Sequence, residues 1–168
     1  DVFSIRKDAW LEEFAEKYPK EIGLPFYCLI RATSLTEDVA VQLQKAGCKS
    51  ASMSIEAGDQ ELRNRVLKRN MTDQQMIDSF KLAHRYGINT HSNTMMGIPG
   101  TTLDDDWNSF LFARLVGPTA PTFGIYCPYP KAELSEYARE IGVLPSDFDY
   151  NQTYRNESVM TNYTDAEY

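Results

Sequence analysis

Four short apolar runs, residues 26–30, 50–55, 88–96 and 122–127, alternate with stretches that have the three-and-four spacing of amphipathic helices, and the links between them are short. Strands joined in succession through helices run parallel with right-handed crossovers, so this alternation predicts an α/β fold with helices packed outside a parallel sheet. A barrel segment and an open doubly wound sheet both satisfy it. The strands end in polar or glycine-rich turns: Arg31 after the first, Glu56-Ala57-Gly58 after the second and Gly97-Ile98-Pro99-Gly100 after the third. Open backbone at the carboxyl ends of parallel strands is where such folds bind ligands.

The individual elements follow from local signals. Lys7 to Tyr18 places Trp10, Leu11, Phe14 and Tyr18 on one helical face, with Pro19 as the stop. Phe26 to Ile30 suits a strand buried on both faces. Thr36 caps a helix that turns Val39, Ala40, Leu43 and Ala46 inward, and Gly47 supplies its left-handed last residue. After the strand Ser50 to Ile55, a short helix from Asp59 to Lys68 carries Leu62, Val66 and Leu67, leaving Arg63, Arg65 and Lys68 as solvated surface. Thr72 to Gln75 forms a capping box for a helix lined by Met76, Ile77, Phe80 and Ala83 and ended by Gly87. Asp104, Asp105 and Asp106 complement the dipole of the next helix, in which Trp107, Phe110, Leu111 and Leu115 recur at helical spacing. The strand Thr122 to Cys127 and a helix from about Ala132 to Ile141, which carries Leu134, Tyr137, Ala138 and Ile141, complete the pattern. Residues 1–145 make the expected domain, and 146–168, with Tyr150, Tyr154, Tyr163 and Tyr168, an irregular tail.

Composition narrows the partners. A net charge of −7 and a pI near 4.8 disfavour nucleic acid, whose phosphates need clustered Lys and Arg. No run has the length of a membrane span. Cys28, Cys48 and Cys127 lie far apart without a paired spacing, which fits a reducing, cytoplasmic setting and gives no metal framework. The chain opens on Asp1 as if in mid-element, so it is expected to be a piece of a longer protein.

Three strings carry a family likeness. GCKSASMSIEAGDQELRNRVLKRNMT, HRYGINTHSNTMMGIPGTT and FGIYCPYPKAELSEYAREIGVLP resemble, in that order and spacing, successive segments of the radical S-adenosylmethionine (radical SAM) superfamily. The likeness is to the branch that often carries an N-terminal cobalamin-binding domain, and it covers Asp1 to Pro145. It implies that the βα repeats are strands three to six of a partial (βα)6 TIM barrel. It also implies a full-length enzyme that uses S-adenosylmethionine and a [4Fe–4S] cluster to make a 5′-deoxyadenosyl radical. Cobalamin is a further cofactor of that branch, and methyl transfer is its commonest outcome. The family holds its cluster through a CxxxCxxC loop after the first strand, which this chain lacks, so the chain by itself is expected to hold no cluster, to have none of these cofactors bound and to be inactive. A non-catalytic α/β binding or packing module is the alternative, and a CxxxCxxC sequence upstream distinguishes the two.

The same resemblance assigns site residues. Glu56 stands at the acid of the family's GiEsG motif, where a carboxylate accepts hydrogen bonds from ribose hydroxyls or an ammonium; a helix cap is its bland role. Arg69 matches an arginine suited to gripping a carboxylate. Asn93 falls at a polar ribose contact or is a satisfied core amide, and Met95, Met96, Gly97 and Ile98 fall in the segment that holds adenine or pack as core. Tyr126, Cys127 and Pro128 occupy the last-strand position flanking the adenine, while Cys28 and Cys127 are expected as ordinary buried thiols. Arg31 and Ser34 end a strand where substrate contacts often lie. His84, read as helix surface, and His91, at a strand start, receive no catalytic role, and no metal ligand is assigned. The family's GlPgEt becomes Gly97 to Thr102 without the acid, and its PyPgT becomes Pro128-Tyr129-Pro130-Lys131-Ala132. The strand at 26–30 would lack its usual neighbour. Its apolar edge is therefore expected to be covered by the tail, the N-terminal segment or a second chain, a route to self-association.

Overall fold

The computed structural model describes residues 9–152. Its elements are α1 (Ala9–Glu21), β1 (Phe26–Leu29), α2 (Glu37–Ala46), β2 (Cys48–Ser52), α3 (Gln60–Arg65), α4 (Asp73–Arg85), β3 (Asn89–Met96), α5 (Leu103–Val116), β4 (Ala120–Ile125) and α6 (Glu133–Glu140). The four strands form one parallel sheet in the order β1-β2-β3-β4. In register, Cys28 faces Ala51 and Ser52 faces His91. Sequence order equals spatial order, as in a barrel segment and unlike a doubly wound sheet, whose order reverses at a switch point. Among the described strands β1 and β4 are the edges, and Pro121 is tolerated in β4 because an edge strand has one unpaired side.

Two compact units divide the chain. One comprises the residues up to Ile55, Met71–Asn93 and Ala113–Thr122; the other comprises Glu56–Asn70, Thr94–Phe112 and the residues from Phe123 on.

In the first unit the local signals hold. Thr36 Oγ1 accepts the Val39 N–H, and Gly47 closes α2 at φ 91°. The capping box on α4 is complete, with Thr72 and Gln75 each satisfying the other's backbone N–H. Val39, Ala40, Leu43, Ala46, Met76, Phe80 and Ala83 are buried, so each helix turns its apolar stripe inward. Ser79 Oγ donates to the Ala32 carbonyl at 2.7 Å.

Three expectations in this unit change. Helix α1 runs through Pro19 to Glu21. A proline removes one N–H, and the turn survives because Ile22 and Gly23 both donate to the Tyr18 carbonyl, with Gly23 at φ 67° ending it. Strand β1 is buried on one face only: Cys28 is covered while Tyr27 and Leu29 are more than half exposed. His84 is exposed, as a surface residue should be, yet it is tethered, its Nε2 lying 2.8 Å from Thr90 Oγ1 and 3.3 Å from Thr119 Oγ1. His91 likewise spans two hydroxyls, those of Ser52 and Thr122, across neighbouring strands. Residues 1–8 and 153–168, which include the start of the expected first helix, most of the tail and the expected cover for the β1 edge, lie outside the described residues.

The second unit holds a small core of Tyr126, Ala138 and Leu144, with Met95, Leu134, Val143 and Phe148 packed against it. The first residues after Pro145 belong to it: Phe148 meets Tyr150 edge-on, and the Arg139 guanidinium lies over the Tyr150 ring.

Helix α5 reverses its expected orientation. Trp107, Phe110, Leu111 and Leu115 are exposed, Trp107 by 59%, and the buried positions are Ser109, Ala113 and Val116. Apolar residues are spread around this helix, so periodicity does not choose the inner face; the Gly58 turn packs against the main chain of Asn108 and Ser109, where the Ser109 hydroxyl accepts the Gly58 N–H. Among the described residues no helix is long and apolar enough to cross a membrane.

Candidate functional site

The ladder of β2 continues past Ser52, with Met53 and Ile55 donating to the carbonyls of His91 and Asn93. At Glu56 the backbone changes hand. Glu56 has φ 68°, a left-handed conformation that costs a non-glycine residue about 1 kcal/mol or more. Its carbonyl accepts the Met95 N–H at 2.7 Å, and it forms a single parallel bridge to Thr94. Strained backbone persists only where its surroundings over-determine it.

Several contacts do so here. Gly58 sits against α5: its N–H donates to Ser109 Oγ at 2.8 Å, and a Cβ at Gly58 would lie 2.5 Å from Ser109 Cα. Asp59 caps α3 by accepting the Leu62 N–H. Arg63 then overturns its expected place on the surface. It is fully buried, its Nη1 donates to the Ala57 carbonyl at 2.7 Å, and its guanidinium lies 5.2 Å from the centre of the Phe112 ring. A guanidinium leaves water only where carbonyls and an aromatic face replace the solvent. Arg65 and Lys68 are exposed as expected, Lys68 pairing with Glu133.

After α3 the chain reverses twice, with Lys68 at φ 53° and Asn70 at φ 50°. These turns bring Arg69 back so that its Nη2 lies 3.4 Å from Glu56 Oε1, the Glu56 side chain being 18% exposed. Three of the four non-glycine residues with positive φ among the described residues, Glu56, Lys68 and Asn70, thus serve this one ion pair. The fourth is Lys131 at φ 64°, in the position where the PyPgT motif has glycine.

The turn after β3 is held from below. The Gly97 N–H donates to both carboxylate oxygens of Asp106, at 3.1 and 2.9 Å, with Gly97 at φ 65°. Asp106 therefore shapes this turn, whereas the sequence suggested only a complement to the helix dipole. Thr102 and Asp105 cap α5 by exchanging hydrogen bonds, and Thr101 returns both its N–H and its hydroxyl to the Ile98 carbonyl. Ile98 is buried, and Met95 and Met96 are half-buried. The Met96 carbonyl accepts the Tyr126 N–H at 2.7 Å, which sets Tyr126 and Pro128 beside this segment. The Tyr126 ring is in the small core with its hydroxyl 3.0 Å from Ser135 Oγ. Burial pushes its phenol above the ordinary value, the Ser135 hydrogen bond drawing it partly back.

The second unit thus gathers Glu56, Arg69, Met95, Met96, Gly97, Ile98, Tyr126 and Pro128. Asn93, Arg31 and Ser34 belong to the first unit; Asn93 is exposed, and the Ser34 N–H closes a turn on the Arg31 carbonyl. Sequence reasoning missed Arg63 and Asp106, and it missed that Cys28 and Cys48, twenty residues apart, have their sulfurs 3.8 Å from each other. Their mutual hydrogen bond raises the Cys28 thiol, which burial raises further, and lowers that of Cys48. Cys127 is half-buried. No group of three or more His, Cys, Asp or Glu among the described residues is arranged to hold a metal ion, so those residues do not fit the ligand set of an iron–sulfur cluster.

The sequence profile of the radical SAM superfamily matches residues 3–113. An uncharacterised methyltransferase of Pyrococcus horikoshii is 25% identical over 138 residues, covering 82% of this chain and 30% of the relative. The cytidylyl-2-hydroxyethylphosphonate methyltransferase of Streptomyces wedmorensis is 24% identical over 146 residues, covering 81% of this chain and 27% of the relative. The chain therefore spans under a third of the length of these relatives. The radical S-adenosylmethionine methyltransferase TsrM of Kitasatospora setae, solved with tryptophan and an S-adenosylmethionine analogue and also with cobalamin and a [4Fe–4S] cluster, shares the fold. It superposes with a TM-score of 0.68 at 19% identity, over 79% of this chain and 27% of TsrM.

Proposed function

The chain belongs to the radical SAM superfamily, and on that footing we propose that it is the S-adenosylmethionine-holding part of a longer radical SAM methyltransferase. The observation that carries this reading is the Glu56–Arg69 pair, held by three left-handed residues and joined through the Glu56 carbonyl to Met95, at the approach to the turn at Gly97. Glu56 is buried enough to make a strong acceptor and open enough to reach a ligand. Its carboxylate holds the ribose hydroxyls or the ammonium group of S-adenosylmethionine, while Arg69 orients that carboxylate and supplies a cation. The backbone from Met95 to Ile98, fixed by Asp106 and by Tyr126, lies along the adenine, with Met95 and Met96 as its apolar cover. Asn93, Arg31 and Ser34 belong to the other unit and take no part in this assignment. When bound together, S-adenosylmethionine and a reduced cluster supply the reactive methyl or 5′-deoxyadenosyl group. The protein's part here is to orient the cofactor and to exclude water from it. The cluster ligands belong to chain beyond these residues, and the cobalamin bound by TsrM is the reason to assay the parent enzyme with that cofactor.

The test is made on the parent enzyme reconstituted anaerobically with iron and sulfide. It should show iron–sulfur absorption and convert S-adenosylmethionine to S-adenosylhomocysteine or 5′-deoxyadenosine. Glu56→Gln should lower turnover by about tenfold or more with that absorption unchanged, the effect of losing one charge-assisted hydrogen bond. An inactive parent, or full activity in the variant, would refute the reading.

A further inference from the structure

The fully buried Arg63 has no place in the reading above. Helix α3 is only six residues long, and five of its six residues are polar or charged in type, yet it directs an arginine inward while Leu62 stays half-buried. Burying a guanidinium in a turn-sized helix costs more than burying leucine, so the charge must be used where it lies.

Its contacts show what for. The Arg63 side chain donates to the Ala57 carbonyl at 2.7 Å, with the Gly58 carbonyl at 3.5 Å, and so grips the turn immediately after Glu56. The Arg63 backbone carbonyl accepts the Arg69 N–H at 3.1 Å and so anchors the other partner. One residue therefore touches the main chain of both limbs of the Glu56–Arg69 pair. Phe112 beneath the guanidinium fixes the plane of the fork, and the Ser109 hydroxyl holds the Gly58 N–H from the same helix, α5. Glu56 is in a left-handed conformation that relaxes unless its carbonyl-side neighbour is pinned, and Arg63 is the side chain that pins it.

We propose that Arg63 is a positioning residue: it sets the Glu56 carboxylate against Arg69 by clamping the Ala57 turn through its side chain and the Arg69 backbone through its carbonyl. The proposal rests on the Glu56–Arg69 pair being the ligand-holding group, and its test separates the two ideas. The coupling between Glu56 and Arg69 is measured by urea denaturation of the full chain, using Glu56→Gln, Arg69→Gln and the double variant. The cycle is repeated with Arg63→Met and with Arg63→Lys, which keeps a charge and an aliphatic stem but loses the planar fork. The coupling should be up to about fivefold in the unfolding constant with Arg63 present, and absent in both substituted backgrounds. A residue that merely stabilises the fold would lower stability and leave the coupling unchanged, and that result would overturn the proposal. So would loss of cooperative folding in both substituted chains, which would make Arg63 a determinant of the fold itself. In parallel, binding of S-adenosylhomocysteine to the parent enzyme should weaken about tenfold in either Arg63 variant. A wild-type parent that does not bind S-adenosylhomocysteine counts against the cofactor reading, while the coupling result still decides the role of Arg63.

Discussion

Replacing Gly58 with alanine should destabilise the chain by about 2–5 kcal/mol, and the reason is a shortage of space with no slack to relieve it. A Cβ on Gly58 would lie 2.5 Å from Ser109 Cα and 2.8 Å from both the Asn108 carbonyl oxygen and the Ser109 nitrogen. Carbon atoms pack best at about 3.5–4.0 Å, so the turn and α5 must part by about 1 Å. Overpacking of this kind costs about 1–3 kcal/mol. Parting also stretches the 2.8 Å bond from the half-buried Gly58 N–H to Ser109 Oγ, leaving that donor short of its acceptor for about 1–3 kcal/mol more. Against this, alanine restricts the unfolded chain and returns about 0.4–1 kcal/mol, since Gly58 does not occupy the left-handed region. The assay is urea denaturation followed by far-ultraviolet circular dichroism, with the Gly58→Ala, Ser109→Gly and double variants. Every clashing atom is main chain, so Ser109→Gly should not rescue Gly58→Ala. A loss below about 0.5 kcal/mol, or recovery in the double variant, would refute the close approach and with it the explanation for the inverted face of α5.

Other outcomes follow from local contacts. Thr72→Ala should cost about 1 kcal/mol by removing the acceptor for the Gln75 N–H, while Thr72→Ser should keep most of that stability; equal losses would contradict the cap. The Tyr126 phenol is raised above its ordinary 10.0 by burial, so the unfolded chain gives up this proton first. The stability it contributes is complete below about pH 10 and is lost as pH rises through the folded value, and Tyr126→Phe should flatten that alkaline slope in denaturation midpoint. Of the three thiols, half-buried Cys127 should react first with a bulky disulfide reagent in the native chain, with Cys28 and Cys48 following only on denaturation; simultaneous loss of all three would mean that β1 opens freely.

The elements most legible in the sequence are those whose determinants are local. Thr36 and Gly47 bound α2, and Thr72 and Gln75 start α4, because a cap is decided by three or four consecutive residues and needs no knowledge of what lies across from them. Strand order was not local in this sense: a barrel segment and an open doubly wound sheet both satisfy the alternation, and only the motifs at the strand ends pointed to the barrel order that the sheet has. Glu56 and Arg69 were legible as types at motif positions, but their 3.4 Å approach was not. It depends on left-handed backbone at Lys68 and Asn70, residues whose side chains do not announce it.

The failures have a common cause. Arg63 looked like surface because charge on a short helix usually is, and Trp107, Phe110, Leu111 and Leu115 looked like core because they recur at helical spacing. Both expectations fail on the two sides of one contact, where Gly58 meets Ser109 and Arg63 lies over Phe112. Close approach of backbone to backbone puts the Ser109 hydroxyl against the Gly58 turn, while Trp107, Phe110, Leu111 and Leu115 stay exposed. The space left beneath the turn then takes a long, flat, hydrogen-bonding group where an aliphatic one would leave the Ala57 carbonyl without its donor. Local rules are expected to break where a structure holds strain for a purpose. In this chain the breaks cluster behind Glu56, the residue with both a strained backbone and a half-sheltered carboxylate, and that is the residue on which the proposed function rests.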